Sequence, residues 1–336
     1  MEKVRRRKNR RVCLFDNIKF FLILTVVIGH FADVATAVSP TYRSLFLFIY
    51  TFHMPLFIFL SGLFHKNKDI LQKVVTFFLL GYLSKIIIWL TKLIFFGINE
   101  FEFFSDSGLP WYMFVLAMYI PTSYLLRKVD KTILLAVSVT IACIAGYFDF
   151  IGDFLYLSRF FVFYPFYLLG QMTPKILLIN LNKIKAVKIV SAFILLLWLV
   201  LCFTSTDSLY ILRPLFTGRN PYSTEEAFRI TGFFYRLLCY VITSLVSISV
   251  ICLIPRQKIN YISGYGKNTL QVYFWHTSFL LILMRTGIDD FLTANAFGRF
   301  IWIILASALT VLLSTDYFSF PTKQVSQLCK KLLRKA

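Results

Sequence analysis

Residues 16–33 read DNIKFFLILTVVIGHFAD, an apolar run that is interrupted by one lysine and one histidine and has an aspartate at each end. About 20 mostly apolar residues suffice for a helix to cross the hydrocarbon core of a bilayer, and similar runs follow along the chain with short polar breaks. The 336 residues are 58% apolar and 15% charged, with a mean hydropathy of +0.72. The composition therefore predicts an all-α, polytopic membrane protein rather than a water-soluble domain.

The pattern predicts about ten transmembrane helices in one membrane domain, 17–315, flanked by a basic segment 1–16 and a basic segment 316–336. The predicted spans are 17–37, 44–63, 73–97, 111–126, 132–148, 155–172, 187–204, 232–254, 267–285 and 297–315. The sixth span is short and carries Arg159 and Pro165. It could instead be re-entrant, which would change the count.

The loop charges sort into two sets that alternate along the chain. The basic set lies within 5–11, 66–73, 127–131, 175–188, 256–267 and 330–335, and the acidic set lies within 100–106, 149–153, 207–226 and 289–290. Ten crossings place each set on one side of the membrane. The positive-inside tendency then predicts that both chain ends are cytoplasmic, as in a multi-pass protein of a bacterial cell membrane. The net charge of +20 is thus a topology signal, and we expect the bilayer rather than nucleic acid as the partner.

The first predicted helix carries a polar stripe. At about 100° per residue, Lys19 lies about 20° from His30 around the axis, Asp16 about 40° and Asp33 about 60°. Lys19 lies about 16 Å below His30 along the axis, and Asp33 lies one turn above it. A buried imidazole beside a carboxylate is a plausible general base, since the carboxylate stabilises the imidazolium that forms. Asp16 and Lys19 could instead simply flank the helix at the lipid headgroups.

Three of the four histidines, His30, His53 and His276, fall near the middle of predicted spans, and we expect them to form one cluster. Pro55 removes a backbone donor next to His53, so the second helix should bend there and make room for a ligand. Gln271 adds a polar group near His276. The cysteines have no metal-like spacing, and we expect neither a metal site nor a disulfide.

Several of these residues form motifs with fixed spacing. Ten residues separate Lys19 from His30, and further motifs follow at 52–62 (FHMPLFIFLSG), 110–112 (PWY), 163–170 (FYPFYLLG) and 268–276 (NTLQVYFWH). This ordered set resembles the acyltransferase-3 family along the whole chain, with the fucose 4-O-acetylase-like carbohydrate O-acetyltransferases as the branch that it resembles most.

The resemblance implies an enzyme of the acyltransferase class (EC 2.3.1) that moves an acyl group, usually acetyl from cytoplasmic acetyl-CoA, to a hydroxyl of an envelope glycan or a lipid-linked sugar. Lys19 and His30 match the basic residue and the histidine of the family's first motif. Many members carry paired arginines near the third helix, where this chain offers lysines. We therefore expect the anionic part of acyl-CoA, the co-substrate, to bind a set of basic residues: Lys19, Lys66, Lys68, Lys73 and Lys85.

The expected catalytic residues are His30 as general base or nucleophile, Asp33 as its carboxylate, and His53 and His276 as orienting or oxyanion-stabilising groups. The expected sugar contacts are Trp111, Arg159 and Gln271. A homodimer is compatible with the sequence.

Two other functions also account for buried polar residues. A carrier or flippase for an envelope lipid or polysaccharide would line its path with them and would not raise thioester hydrolysis. A b-type haem protein would use two of the histidines as axial ligands and would show a haem absorbance spectrum.

Overall fold

The computed structural model describes residues 13–105 and 108–333. Residues 1–12, most of the predicted basic segment 1–16, lie outside this range, as do 106–107 and 334–336 at the end of the predicted segment 316–336. The described chain is helical throughout and contains no strand in these ranges.

The described residues form seventeen α-helices. In chain order they are α1 (Cys13–Val34), α2 (Pro40–Tyr50), α3 (His53–Leu63), α4 (Ile70–Phe96), α5 (Trp111–Leu125), α6 (Lys131–Ile144), α7 (Leu157–Met172), α8 (Lys175–Leu181), α9 (Lys185–Thr204), α10 (Thr206–Tyr210), α11 (Arg213–Phe216), α12 (Phe228–Leu253), α13 (Ile262–Tyr265), α14 (Thr269–Arg285), α15 (Ile288–Thr293), α16 (Ala296–Leu313) and α17 (Thr322–Leu333).

Each of the ten predicted spans overlaps a helix, but fewer than ten meet the length needed to cross a bilayer alone. Among the described residues six segments do so: Cys13–Val34, Pro40–Leu63, Ile70–Phe96, Lys185–Thr204, Phe228–Leu253 and Ala296–Leu313. A seventh is reached if the pair Phe154–Met172 and Lys175–Leu181, which meet at 87°, forms one broken span. This pair is the predicted sixth span, where re-entry was the alternative. An integral membrane protein is thus supported, whereas ten crossings and their orientation stay predictions.

Local sequence explains several helix ends. Asp130 caps α6, where its Oδ1 accepts hydrogen bonds from the backbone N–H of Thr132 and Ile133. Gly97 ends α4 in the left-handed conformation, with φ of 70°. Its N–H donates to the carbonyl of Leu93, and the N–H of Ile98 donates to that of Lys92. The predicted interruption beside His53 is confirmed, because Phe52, between α2 and α3, leaves helical geometry with φ of −128° and ψ of −28°.

The close crossing of α3 and α7 holds the centre of the bundle together. Gly62 of α3 lies against the carbonyl of Tyr167, and Gly170 of α7 lies against the carbonyl of Phe59. A Cβ at either glycine would overlap the facing backbone, so the two helices approach as closely as their main chains allow.

Two ends of the bundle are defined by residues of α1. At one end, the Asn17 amide donates to the carbonyls of Pro255 and Gln257 (2.8 and 2.9 Å), and Ser263 donates to its Oδ1 (2.6 Å). At the other end, Asp33 meets the chain that follows α9. We call these the Asn17 end and the Asp33 end. Since helices connected by short loops alternate in direction, the Asn17 end carries most of the basic loops.

Candidate active site

A cavity of about 650 Å³ opens at the Asp33 end. Residues from α1, from the break between α2 and α3, and from the starts of α5 and α7 line it. The segment 205–227 closes one side and contributes Tyr210, Arg213 and Arg219. The volume is in the usual range for small-molecule sites.

The structure brings the three predicted histidines together at this cavity. His30 and His53 line it, and the buried ring of His276 lies 5.3 Å from the ring of His30, centroid to centroid. Tyr50 joins the set, with its ring 6.3 Å from His30 and 4.5 Å from His53. The α1 and α14 helices and the break between α2 and α3 therefore converge on one group of polar side chains.

Backbone carbonyls define the tautomers of two of these rings. His53 Nδ1 lies 2.9 Å from the carbonyl oxygen of Ile49, and His276 Nδ1 lies 2.8 Å from that of Val272. A carbonyl only accepts, so each Nδ1 carries the proton and each Nε2 of a neutral ring holds a lone pair. The Nε2 of His276 is buried and has no hydrogen-bond partner in the described chain.

His30 differs from the other two rings. Within residues 13–105 and 108–333, no side chain or carbonyl hydrogen-bonds to its ring nitrogens, and it lines the cavity. An imidazole that is held by packing and faces an open cavity is available to exchange a proton with a bound molecule or to attack it.

Asp33 lines the same cavity but pairs with a different partner from the expected one. Its Oδ1 lies 2.6 Å from Nη2 of Arg213, whose guanidinium also lies 4.7 Å from the centre of the Phe46 ring. The 205–227 segment brings this cation to Asp33, which periodicity within α1 cannot reveal. The expected coupling of Asp33 to His30 stays a prediction.

Trp111 and Arg159, both expected to contact a sugar, lie side by side in the cavity wall. The Arg159 guanidinium is buried 5.3 Å from the centre of the Trp111 ring, and its Nη1 lies 3.2 Å from Asp153. Trp111 stacks on Phe163 at 5.3 Å. An aromatic face next to a fixed cation can hold a polar ring and donate hydrogen bonds to its oxygens.

Gln271, the third expected sugar contact, lies outside the cavity. Its amide nitrogen donates to the carbonyls of Leu313 and Thr315 (2.7 and 2.5 Å), which connects the start of α14 to the end of α16. The amide satisfies carbonyls that the end of a helix leaves open.

The five expected donor-binding lysines separate into two groups. At the Asn17 end, Lys19 Nζ lies 4.8 Å from the centre of the Phe64 ring, and Lys73 Nζ donates to the carbonyls of Lys66 and Lys68 (2.7 and 2.5 Å). Lys66 and Lys68 are exposed. These four cations are thus near one end of the bundle, as expected for a site that binds an anion from that side.

Lys85 lies about 18 Å further along α4 than Lys73, at 1.5 Å per residue. It is buried, and its Nζ donates to the carbonyls of Glu102, Phe103 and Ser105. The structure therefore separates Lys85 from the other lysines and gives it a structural role, which is to hold the loop before α5.

An apolar cleft of about 230 Å³ lies next to the cavity. Ile23, one helical turn beyond Lys19, lines it together with residues of α4, α5 and α14. Met54 and Tyr273 line both the cleft and the cavity. The cleft therefore borders the cavity on the side that faces Lys19.

Three residues of the site are not among those that the sequence pattern predicts: Tyr50, Arg213 and Arg219. Tyr50 lies one turn before His53, a spacing that predicts a shared face only if the helix continues unbroken. Arg213 and Arg219 lie in a loop whose other charges are mostly acidic. Because cations are unusual on that side, their presence there could have indicated a functional role.

Arg236 holds the 205–227 segment in place. It is buried within α12 and donates to the carbonyls of Leu215 and Arg219 (2.6 and 3.2 Å), to Asn220 Oδ1 (2.9 Å) and to the Tyr222 hydroxyl (3.4 Å). A buried guanidinium needs all its donors satisfied, so the segment and the arginine stabilise each other.

No group of three histidine, cysteine, aspartate or glutamate side chains in the described ranges could hold a metal ion. The expectation of a reaction without metal stays a prediction.

Comparison with known proteins gives one match. A family model described as an acyltransferase domain matches residues 14–317. No curated protein and no solved structure matches.

Proposed function

Because the chain belongs to the acyltransferase-3 family, we propose that it transfers an acetyl group from cytoplasmic acetyl-CoA to a hydroxyl of a cell-envelope carbohydrate, as an O-acetyltransferase of the fucose 4-O-acetylase-like branch. The observation that carries the proposal is His30, an imidazole without a hydrogen-bond partner in the described chain. It lines a cavity with charged and aromatic walls, and this cavity shares Met54 and Tyr273 with the neighbouring apolar cleft.

The donor enters from the Asn17 end. Lys19 and the lysines of the 66–73 loop attract the phosphates of acyl-CoA, since clustered cations raise the local concentration of an anion. The pantetheine arm lies in the apolar cleft and carries the thioester past Met54 and Tyr273 to His30. This end faces the cytoplasm if the positive-inside tendency holds.

The acceptor enters from the Asp33 end. Trp111 supports the sugar ring, and Arg159 and Arg213 donate hydrogen bonds to its oxygens. A glycan hydroxyl and the thioester then meet at His30 from opposite sides, so transfer needs no second domain.

In the direct route His30 accepts the proton of the sugar hydroxyl while its oxygen attacks the thioester carbonyl. The carbonyl becomes an oxyanion, and the Tyr50 hydroxyl, which lines the same cavity, donates to it. Collapse expels the thiolate of CoA, which takes the proton from the imidazolium. His276 fills the role expected of Asp33, because a small ring shift lets its Nε2 accept a hydrogen bond from His30.

In the covalent route His30 attacks the thioester first and forms an acyl-imidazole, which the sugar hydroxyl then cleaves. Rapid quench with labelled acetyl-CoA in the absence of acceptor distinguishes the two, since only the covalent route leaves label on the protein.

Membranes containing the chain test the function itself. We expect them to raise thioester cleavage of acetyl-CoA and to add an acetyl increment to envelope glycan, as seen by mass spectrometry of wild-type and deletion cells. A carrier would leave both unchanged and would move an unmodified glycan, so this pair of results decides between the two functions.

A further inference from the structure

The charges in the wall of the cavity at the Asp33 end balance. Among the described residues, the lining carries three arginines and three carboxylates: Arg159, Arg213, Arg219, Asp33, Asp207 and Glu225. A site that selects an anion would instead show an excess of cations, because charges across a binding interface are complementary. The described wall therefore favours neither an anionic nor a cationic ligand.

Two of the arginines are held by carboxylates of the protein. Arg213 Nη2 lies 2.6 Å from Oδ1 of Asp33, within the wall itself. Arg159 is 3% exposed, and its Nη1 lies 3.2 Å from Oδ1 of Asp153, which does not line the cavity. A ligand anion that approached either guanidinium would have to compete with a carboxylate that is already in place.

The carboxylates of the wall are compensated in the same way. Asp207 lies 3.7 Å from Nη1 of Arg43, which does not line the cavity. Asp33 is paired with Arg213, and Arg219 lies close enough to act on its charge as well. Neither carboxylate therefore adds a net negative charge that would attract a cationic ligand.

The paired groups can still bind hydroxyls. In the pair of Asp33 and Arg213 the carboxylate accepts hydrogen bonds and the guanidinium donates them. A hydroxyl does both, so two neighbouring hydroxyls of an uncharged sugar can bridge the pair without displacing it. An aromatic ring lies beside each guanidinium, Phe46 at 4.7 Å from Arg213 and Trp111 at 5.3 Å from Arg159, and can pack against the apolar face of a sugar ring.

We propose that the sugar unit which receives the acyl group is uncharged, and that the pair of Asp33 and Arg213 excludes units that carry a carboxylate or a phosphate group. A charged unit would lose hydration in the cavity and would find no excess cation there to replace it. The identification of this ligand as the acceptor rests on the proposed function. The charge selectivity is a property of binding and needs no acyl transfer.

The test uses the full-length chain in phosphatidylcholine nanodiscs without acetyl-CoA. The probes are the methyl glycosides of glucose, galactose and mannose, each compared with the matching uronate, in which a carboxylate replaces the CH₂OH group. Saturation-transfer NMR gives both dissociation constants, and their ratio, uronate over neutral sugar, is the charge selectivity. The test variants are Asp33→Asn and Arg213→Gln. The matched controls, Asp290→Asn and Arg229→Gln, make the same charge changes at exposed residues outside the cavity wall.

We expect the wild-type chain to bind at least one neutral glycoside about tenfold more tightly than its uronate. Asp33→Asn leaves Arg213 without its carboxylate, so it should lower the charge selectivity about tenfold. Arg213→Gln leaves Asp33 without its cation, so it should raise the selectivity. The double variant is again balanced and should return close to the wild-type ratio, and both controls should stay within about twofold of it.

The opposite signs separate charge from structure. Both single variants break the same ion pair, so a purely structural loss would shift the selectivity in one direction for both. Shifts in the same direction, uronates bound as tightly as neutral glycosides by the wild-type chain, or no binding of any neutral glycoside would each overturn the proposal. Failure of the membrane transfer assay would instead overturn the proposed function and leave a charge-selective sugar site in place.

Discussion

Asn17 and His30 belong to the same helix, about 20 Å apart along its axis at 1.5 Å per residue. Asn17 uses its amide fully, as donor to two carbonyls and as acceptor from Ser263. His30 makes no hydrogen bond to any described residue and lines a cavity. Both residues are polar groups in a largely apolar helix, yet one holds the bundle together and the other is available for chemistry.

The comparison shows that polarity within a membrane helix marks two different roles. A buried polar group costs free energy unless it is satisfied, so most such groups are structural connections between segments. A polar side chain that lines a cavity and has no hydrogen-bond partner is therefore a better candidate for function than a polar side chain that only lies within a membrane helix. The following variants test this distinction in order of their expected effect on transfer.

His30→Ala should lower the rate of acetyl transfer by about a thousandfold, since general acid–base or nucleophilic assistance contributes roughly 10²–10⁴-fold. The measurement is release of CoA and acetylation of a glycan acceptor by purified protein in proteoliposomes. Asn17→Ala is the control from the same helix. Transfer by His30→Ala at the wild-type rate would refute the assignment.

Tyr50→Phe should lower kcat by about a hundredfold with little change in KM, because it removes a donor that acts on the oxyanion but leaves the ring in place. The ring packs against Phe46 at 3.7 Å, so the fold should not change. Steady-state kinetics separate the two constants. An unchanged kcat would mean that another group stabilises the oxyanion.

Asp33→Asn should raise the KM for the acceptor about tenfold and leave the KM for acetyl-CoA within about twofold, because loss of the 2.6 Å ion pair releases Arg213 at the acceptor side. Arg213→Gln should have a similar effect, and the double variant should be no worse than either single variant. If Asp33 instead assisted His30 directly, kcat would fall and Arg213→Gln would not reproduce the loss.

Asn17→Ala should leave transfer within about twofold of wild type and lower the free energy of unfolding by roughly 1–3 kcal/mol, since two carbonyls and the Ser263 hydroxyl lose their partner. Thermal unfolding in detergent gives the stability and the same transfer assay gives the rate. A large loss of transfer at full stability would mean that the Asn17 end takes part in the reaction.

The sequence predicted the features that depend on neighbours along the chain. Pro55 interrupts its helix because it lacks an N–H, whatever that helix packs against, and the break lies at Phe52. Each of the ten predicted spans overlaps a helix, but among the described residues only six helical segments are long enough to cross a bilayer alone. The family resemblance is confirmed over residues 14–317. Its finer branch stays a prediction.

Partners that arrive from distant segments could not be predicted. Helical periodicity placed Asp33 next to His30, but it could not show that Arg213, 180 positions away, would pair with that carboxylate. In the same way, Lys85 and Gln271 have the composition of ligand-binding groups, and only the packing of loops and helix ends shows that backbone carbonyls occupy their donors. Segment 205–227, which contains the acidic loop charges of 207–226, forms a wall of the cavity.

The most direct test of the central claim is a structure of the chain in a nanodisc with a thioether analogue of acetyl-CoA, which cannot transfer its acyl group. The account predicts the thioether carbon that replaces the carbonyl within about 4 Å of a His30 ring nitrogen, the arm in the apolar cleft and the phosphates at the Asn17 end. An analogue bound with its reactive end away from His30, or at the Asp33 end alone, would contradict it.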